Sequence, residues 1–301
     1  MYIQIEKRKR KERKKMASNK IYWSRKNDMA SRAIEWYFYC KKNYYDEIAN
    51  SVSNSDIIYN TSIPNNILCD YIMKSLYNNE INLSNIKTDT NISIIATDTV
   101  SALFDTNSDN ICILNFASFK NPGGMFLNGS IAQEESLCHQ SILFNVLENF
   151  KHTFYNENKK NLNNGLYNNN LIYSKDILFI KDDNKKFADV ITCASPNRKF
   201  ACNRYNISDY QCYSSMYSRI YTILASAKKN HVKTFILGAY GCGVFGNDPN
   251  MVACIFKFLL LKYFNNDFEN VIFAIPINFH IENYDAFKNI FDNQINYTIS
   301  L

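Results

Sequence analysis

The stretch Thr234-Phe-Ile-Leu-Gly-Ala-Tyr-Gly-Cys-Gly-Val-Phe-Gly-Asn-Asp-Pro249 runs from an apolar segment of strand type, through four glycines, to a helix start. Asp248 has the side chain of an N-cap and Pro249 suits the first helical position, so the junction is marked from both sides. Gly241, Gly243 and Gly246 leave a loop of exposed backbone N–H groups ahead of that helix, a geometry that suits phosphate oxygens. The spacing matches neither an in-frame Gly-x-Gly-x-x-Gly nor a P-loop with Gly-Lys-Ser/Thr. A glycine-rich strand-to-helix turn can also be purely a packing solution, and both readings stay open for this window alone.

A second window has the same layout. After the apolar run Ile111–Ala117 comes Asn121-Pro-Gly-Gly-Met-Phe-Leu-Asn-Gly-Ser-Ile-Ala-Gln-Glu-Glu135, with Gly123, Gly124 and Gly129. Seven of the eight glycines in the chain fall in these two windows; the eighth is Gly165. Glycine lets a backbone approach a ligand closely, so two such turns read as two halves of one anion-cradling pocket. Ser130 and Gln133 have capping-box spacing and predict a helix over 130–150. On it Ile131, Glu135, Cys138, Ile142 and Val146 form one face, leaving Glu135 the lone charge on an apolar stripe and Glu134 about a hundred degrees away. A carboxyl facing a pocket should have a raised pKa, as a general acid needs. Acidic residues in a first turn also complement the helix dipole, and from spacing alone that plainer role is favoured.

The formal net charge of +6 belongs to the N-terminus. Residues 7–15 hold eight bases and one acid, a net of +7, so the remainder of the 301 residues carries 6 − 7 = −1. This block reads as a disordered tail over 1–20, and its two readings are a nuclear-address or weak nucleic-acid contact patch (Lys7 to Lys15) and a solvated extension. The nine cysteines include no Cys-x-x-Cys pair and no Cys/His cluster. They read as reduced thiols of an intracellular protein, cytoplasmic or nuclear and not secreted, with no metal site expected. No apolar run reaches the length of a membrane span.

Helical patterns at 28–49 and 65–79 predict an N-terminal helical extension over 21–90. From residue 92 short β-branched runs appear at Ile92–Ala96, Ile111–Ala117, Leu171–Ile180, Val190–Ala194, Thr234–Ala239 and Val271–Ile277. They alternate with helical patterns at 130–150, 210–231, 249–264 and 283–293, which predicts an α/β sandwich on a largely buried sheet. The Asn-rich segment 156–170 reads as a long surface loop.

Together these motifs resemble the microbial-type poly(ADP-ribose) glycohydrolases, a branch of the macrodomain superfamily. The likeness is carried by Leu114-Asn-Phe-Ala-Ser118, Asn121-Pro-Gly-Gly124, Phe126-Leu-Asn-Gly129, Ala132-Gln-Glu-Glu-Ser-Leu-Cys138, Val190-Ile-Thr-Cys-Ala-Ser-Pro-Asn197 and the stretch 237–249. Val271-Ile-Phe-Ala-Ile275 and Tyr284-Asp-Ala-Phe287 follow in the expected order. The resemblance implies a three-layer α/β/α macrodomain with a mixed central sheet over 91–301. It also implies hydrolysis of the ribose–ribose O-glycosidic bond of poly(ADP-ribose), or action on ADP-ribosylated proteins, with no cofactor and no metal. By the same likeness Glu135 is the catalytic acid and then base, and Glu134 holds ribose hydroxyls. Gly123, Gly124, Gly241, Gly243, Val244 and Gly246 embrace the diphosphate, Phe245 packs against the distal ribose, and Asn121 is a further ribose contact.

Met125 stands where relatives typically have a third consecutive glycine, and a positive φ there would strain it. His139, where relatives often have arginine, reads as a packing or solvent-facing residue. The competing readings are a module that binds ADP-ribose without turnover and a nucleic-acid-associated protein working through its tail. Retention of both glutamates favours the enzyme over the first, and the near-neutral body argues against the second.

Overall fold

The computed structural model describes residues 26–59, 88–278 and 280–292. The basic block at 7–15 and the helix expected at 65–79 lie outside the described residues.

Among the described residues seven strands form one mixed sheet: β1 (Asp56–Ile58), β2 (Asn91–Ile95), β3 (Ile111–Phe116), β4 (Leu171–Lys181), β5 (Asn184–Cys193), β6 (Thr234–Leu237) and β7 (Asn270–Ala274), in the order β1-β4-β5-β3-β6-β7-β2. The pairs of β1 with β4 and of β4 with β5 are antiparallel, whereas β5, β3, β6, β7 and β2 run parallel. Alternate residues of the central strands serve opposite cores. Cys112, Leu114, Phe235, Leu237, Val271 and Phe273 face one layer, and Ile111, Ile113, Val190 and Ile236 face the other.

The first layer holds α8 (Asp209–Lys229), α9 (Pro249–Lys262) and α10 (Ile281–Asp292); α7 (Arg198–Tyr205) precedes α8. The second layer holds α1 (26–43), α2 (Tyr45–Ser53), α3 (Thr99–Asp105), α4 (Gln133–Cys138) and α5 (Leu143–Glu148). This is the three-layer α/β/α arrangement expected from the sequence. Among the described residues no helix is long and apolar enough to cross a membrane.

Three features differ from expectation. The N-terminal part is more than a helical layer, because β1 pairs with β4 and extends the sheet. The helix expected over 130–150 is broken into α4 and α5. Between them Ser141 bridges to Phe179, Ile142 N–H donates to the Leu178 carbonyl at 3.1 Å, and the Gln140 carbonyl accepts from Ile180 N–H at 2.8 Å. Pairing with β4 takes backbone groups that an unbroken helix would use. The segment expected as a loop at 156–170 begins with α6 (Asn156–Lys160), which continues a π-helical turn at Lys151–Tyr155.

The parallel strands end on one edge of the sheet, where ligands of open α/β sheets bind. Since β3 lies between β5 and β6, both glycine windows and the loop Ala194–Asn197 emerge side by side.

Candidate active site

The first window closes on the head of α4. Glu134 and Glu135 are both buried, 3% and 6% exposed, so they converge instead of diverging as the helical wheel predicts. The capping box does not form. Ala132 is the N-cap, and Gln133 reaches away to β3, its Oε1 accepting from Phe116 N–H at 2.9 Å and its Nε2 donating to the Leu114 carbonyl at 2.9 Å. That pair of bonds ties the start of α4 to the end of the central strand and turns the next two side chains inward. Ile131, expected on the buried stripe, lies ahead of the helix and is exposed.

Each carboxylate is held by peptide nitrogen. Glu134 Oε2 accepts from Ser118 N–H at 2.7 Å and Oε1 from the Asn115 amide at 3.3 Å. Burial pushes the Glu134 carboxyl up to about 8; the neighbouring Glu135 charge adds to the rise, while the bonds from Ser118 and Asn115 oppose it. Glu135 Oε1 accepts from Met125 N–H at 2.9 Å. Its other oxygen has no hydrogen-bond partner among the described residues. Gly124 makes this approach possible: its φ is +61°, and a Cβ there would stand 2.5 Å from Glu135 Oε1 and 2.9 Å from Glu134 Oε2.

Two expectations about the first window are therefore corrected. Met125 N–H serves the Glu135 carboxylate and Gly124 N–H turns back to the Asn121 carbonyl at 3.1 Å, so neither is a free donor for a diphosphate. Met125 has φ −112°, an ordinary value, so no left-handed strain arises where relatives have glycine. Asn121 is exposed at the rim. His139 packs edge-on against Phe126 with ring centroids 4.7 Å apart, and burial depresses its imidazole below the usual range, the packing role of the two left open for it.

The second window keeps its donors free. Within 238–248 the internal bonds run from Tyr240, Cys242, Gly246 and Asn247 N–H groups. The N–H groups of Gly243, Val244 and Phe245 have no partner among the described residues, which is the arrangement of a backbone anion nest. Gly243 and Val244 are exposed. The α9 start is as read from sequence, Asp248 accepting from Asn250 N–H at 2.8 Å with Pro249 at the first helical position.

The chain leading into the first window approaches the second through aromatic side chains. Phe116, closing β3, meets Tyr240 edge-on with centroids 5.5 Å apart. Phe119 stacks on Tyr167 at 4.2 Å, and Phe245 lies against Tyr167 at 6.2 Å. Phe119, Tyr167 and Arg219 (fully buried beneath this wall) escaped the sequence reading. For Arg219 a signal existed, since it falls on the buried stripe Cys212, Met216, Ile220, Ile223 as Glu135 does on its own. Among the described residues no three His, Cys, Asp or Glu side chains gather as metal ligands would.

A three-layer α/β/α fold, with an acidic helix head beside a glycine-rich anion loop at the carboxyl ends of parallel strands, defines a protein of the macrodomain class. The family model for the microbial-type PARG catalytic domain matches residues 37–182, which include α4 and the first window. The structure is similar to that of poly(ADP-ribose) glycohydrolase from Thermomonospora curvata bound to the inhibitor ADP-HPD, with 26% identity over 87% of this chain and 99% of that chain and a TM-score of 0.71. It is also similar to poly(ADP-ribose) glycohydrolase from Deinococcus radiodurans in complex with ADP-ribose, with 27% identity over 81% and 97% of the two chains and a TM-score of 0.69. No curated protein matches the chain. By sequence model over residues 37–182 and by fold, the chain is similar to the microbial-type PARG family.

Proposed function

We propose that the protein is a poly(ADP-ribose) glycohydrolase that cleaves the ribose–ribose O-glycosidic bond and releases ADP-ribose, with Glu135 as acid and base in turn. One observation carries this reading: Glu135 is buried at the head of α4, one oxygen fixed by the Met125 N–H and the other without a partner among the described residues. A fixed carboxyl with one free oxygen is suited to deliver a proton to a departing ribose oxygen and then to take one from an attacking water. Bond cleavage leaves a flattened, cationic sugar ring, and the water adds to it as the proton returns to Glu135. Most glycosidases divide these tasks between two carboxylates flanking the bond. Here Glu134 cannot take the second role, because both its oxygens are bound to Asn115 and Ser118; it holds the first window in shape and lines the ribose pocket.

The diphosphate is assigned to the second window, through the N–H groups of Gly243, Val244 and Phe245. Gly241 and Gly246 shape that loop, and Phe245 faces the distal ribose. Similarity to structures solved with ADP-ribose and with ADP-HPD supports the ligand class. Incubation with auto-modified polymer should release free ADP-ribose without added metal or cofactor. A protein that binds ADP-ribose and leaves polymer intact would instead be a reader module.

A further inference from the structure

A buried positive charge lies behind the second window. Arg219 sits on the inward face of α8, fully shielded from solvent. Its Nε donates to Asn169 Oδ1 at 2.8 Å, Nη2 to the Leu166 carbonyl at 3.0 Å, and Nη1 to the Ala194 carbonyl. All three partners are neutral oxygens. Burying a guanidinium without a carboxylate is costly, so the fold obtains something in return from this position.

The three acceptors belong to two turns that meet at the site. Leu166 and Asn169 flank Tyr167, whose φ of +61° is unusual for a residue with a side chain. Ala194 follows the end of β5. Tyr167 carries the stack on Phe119, two residues ahead of the first window, and the contact with Phe245 from the second, and Ala194 joins the same cluster. Beyond Ala194, Asn197 N–H donates to the Gly165 carbonyl at 2.9 Å, while Asn247 Nδ2 bridges the Pro196 and Gly241 carbonyls, each at 2.9 Å. A single guanidinium thus fastens the turn 165–169 to the end of β5, and those two segments hold the second window.

We propose that Arg219 is a positioning residue for substrate binding: it sets the Phe119–Tyr167–Phe245 wall and, through it, the loop 241–246. This rests on the glycohydrolase reading, and it assigns to Arg219 the binding of ADP-ribose units and not the proton transfer, which belongs to the other window. The guanidinium spreads its donors over three nitrogens, each reaching a different acceptor, whereas the three donors of an ammonium diverge from a single nitrogen.

The test is steady-state hydrolysis of auto-modified poly(ADP-ribose) by wild type, Arg219→Gln and Arg219→Lys, with ADP-ribose titration calorimetry on the same samples. Loss of uniform binding raises KM and leaves kcat. We expect KM and the ADP-ribose Kd of Arg219→Gln to rise roughly tenfold or more, kcat to stay within about threefold, and Arg219→Lys to fall between. Asn169→Ala, which removes one acceptor and keeps the guanidinium, should raise KM by about threefold and serves if the arginine variants do not fold. Unchanged KM and Kd in these variants, with any loss confined to kcat or to the active fraction, would overturn the proposal. A wild-type protein inert toward polymer and ADP-ribose alike would overturn the glycohydrolase reading and this proposal with it.

Discussion

Glu134 and Glu135 are adjacent in sequence and share one cradle of peptide N–H groups, yet their surroundings differ. Glu134 is bonded at both oxygens and raised to about 8 by burial. A carboxyl whose pKa is higher folded than unfolded binds its proton more tightly in the native state. Its stabilising effect is complete below the ordinary carboxylate range and fades as pH climbs through about 8. Stability should therefore fall over that window, by at most about 1.4 kcal/mol per pH unit, and Glu134→Gln should flatten the slope. Urea midpoints at pH 5.5 and 8.5 measure it; parallel slopes for the two proteins would contradict the burial argument. Gly124→Ala should cost about 1–2 kcal/mol for the left-handed φ alone and displace the Glu135 carboxylate as well, so polymer turnover should drop about a hundredfold or more, the scale of losing a positioned acid–base group. Near-normal turnover in that variant would mean the carboxylate need not sit where it does. Burial of Glu135 was legible because Cys138, Ile142 and Val146 repeat on its face. The burial of Glu134 and the detour of Gln133 were not, since both depend on β3, which is far from them in the helical pattern.

At the scale of elements, the sequence was read best where both ends of a segment carry local chemistry. The Asp248-Pro249 junction is one case: Asp248→Ala removes an N-cap bond of 2.8 Å. It should cost about 1 kcal/mol, a fall of roughly 2–4 °C in Tm for a domain of this size, without changing ADP-ribose affinity more than about twofold. An unchanged Tm would show that the cap is dispensable. The β4–β5 hairpin, turning at Asp182 and Asp183 with positive φ, was not read, since the expected runs stop at Ile180 and resume only at Val190 while β5 starts at Asn184. The continuous helix expected over 130–150 failed for a non-local reason, the capture of residues 140–142 by β4. Periodicity survives such a break, because α5 resumes close to the same face. Short elements such as α3 and β1 carry too few residues for a period to register.

At the scale of the whole molecule, the N-terminal segment is built into the sheet and the second core. Trp36 donates its indole N–H to the Ser141 carbonyl at 3.0 Å, and Ala33 and Cys40 are fully buried in the layer that holds α4 and α5. Gly129 lets α1 approach, since a Cβ there would collide with the Lys26 carbonyl and the Ala30 nitrogen. The helix thus leans directly on the segment that positions the acid. Trp36→Ala should destabilise the protein by about 2–3 kcal/mol, near the lower end for truncating a large aromatic side chain because Trp36 is only partly buried, while turnover per folded molecule stays within about twofold. A loss under 0.5 kcal/mol, the range of ordinary surface substitutions, would mean that this helix is a detachable appendage. The α/β class could be anticipated from alternating runs. The participation of β1 could not, because a three-residue strand gains its identity only by pairing with β4.

The most direct measurement uses one preparation of Glu135→Gln, assayed for release of ADP-ribose from auto-modified polymer and titrated with ADP-ribose. The substitution keeps size and removes the proton, so release should fall by at least about a hundredfold while affinity stays within about threefold of wild type. Full release by the variant would contradict the assignment of Glu135 as the proton donor.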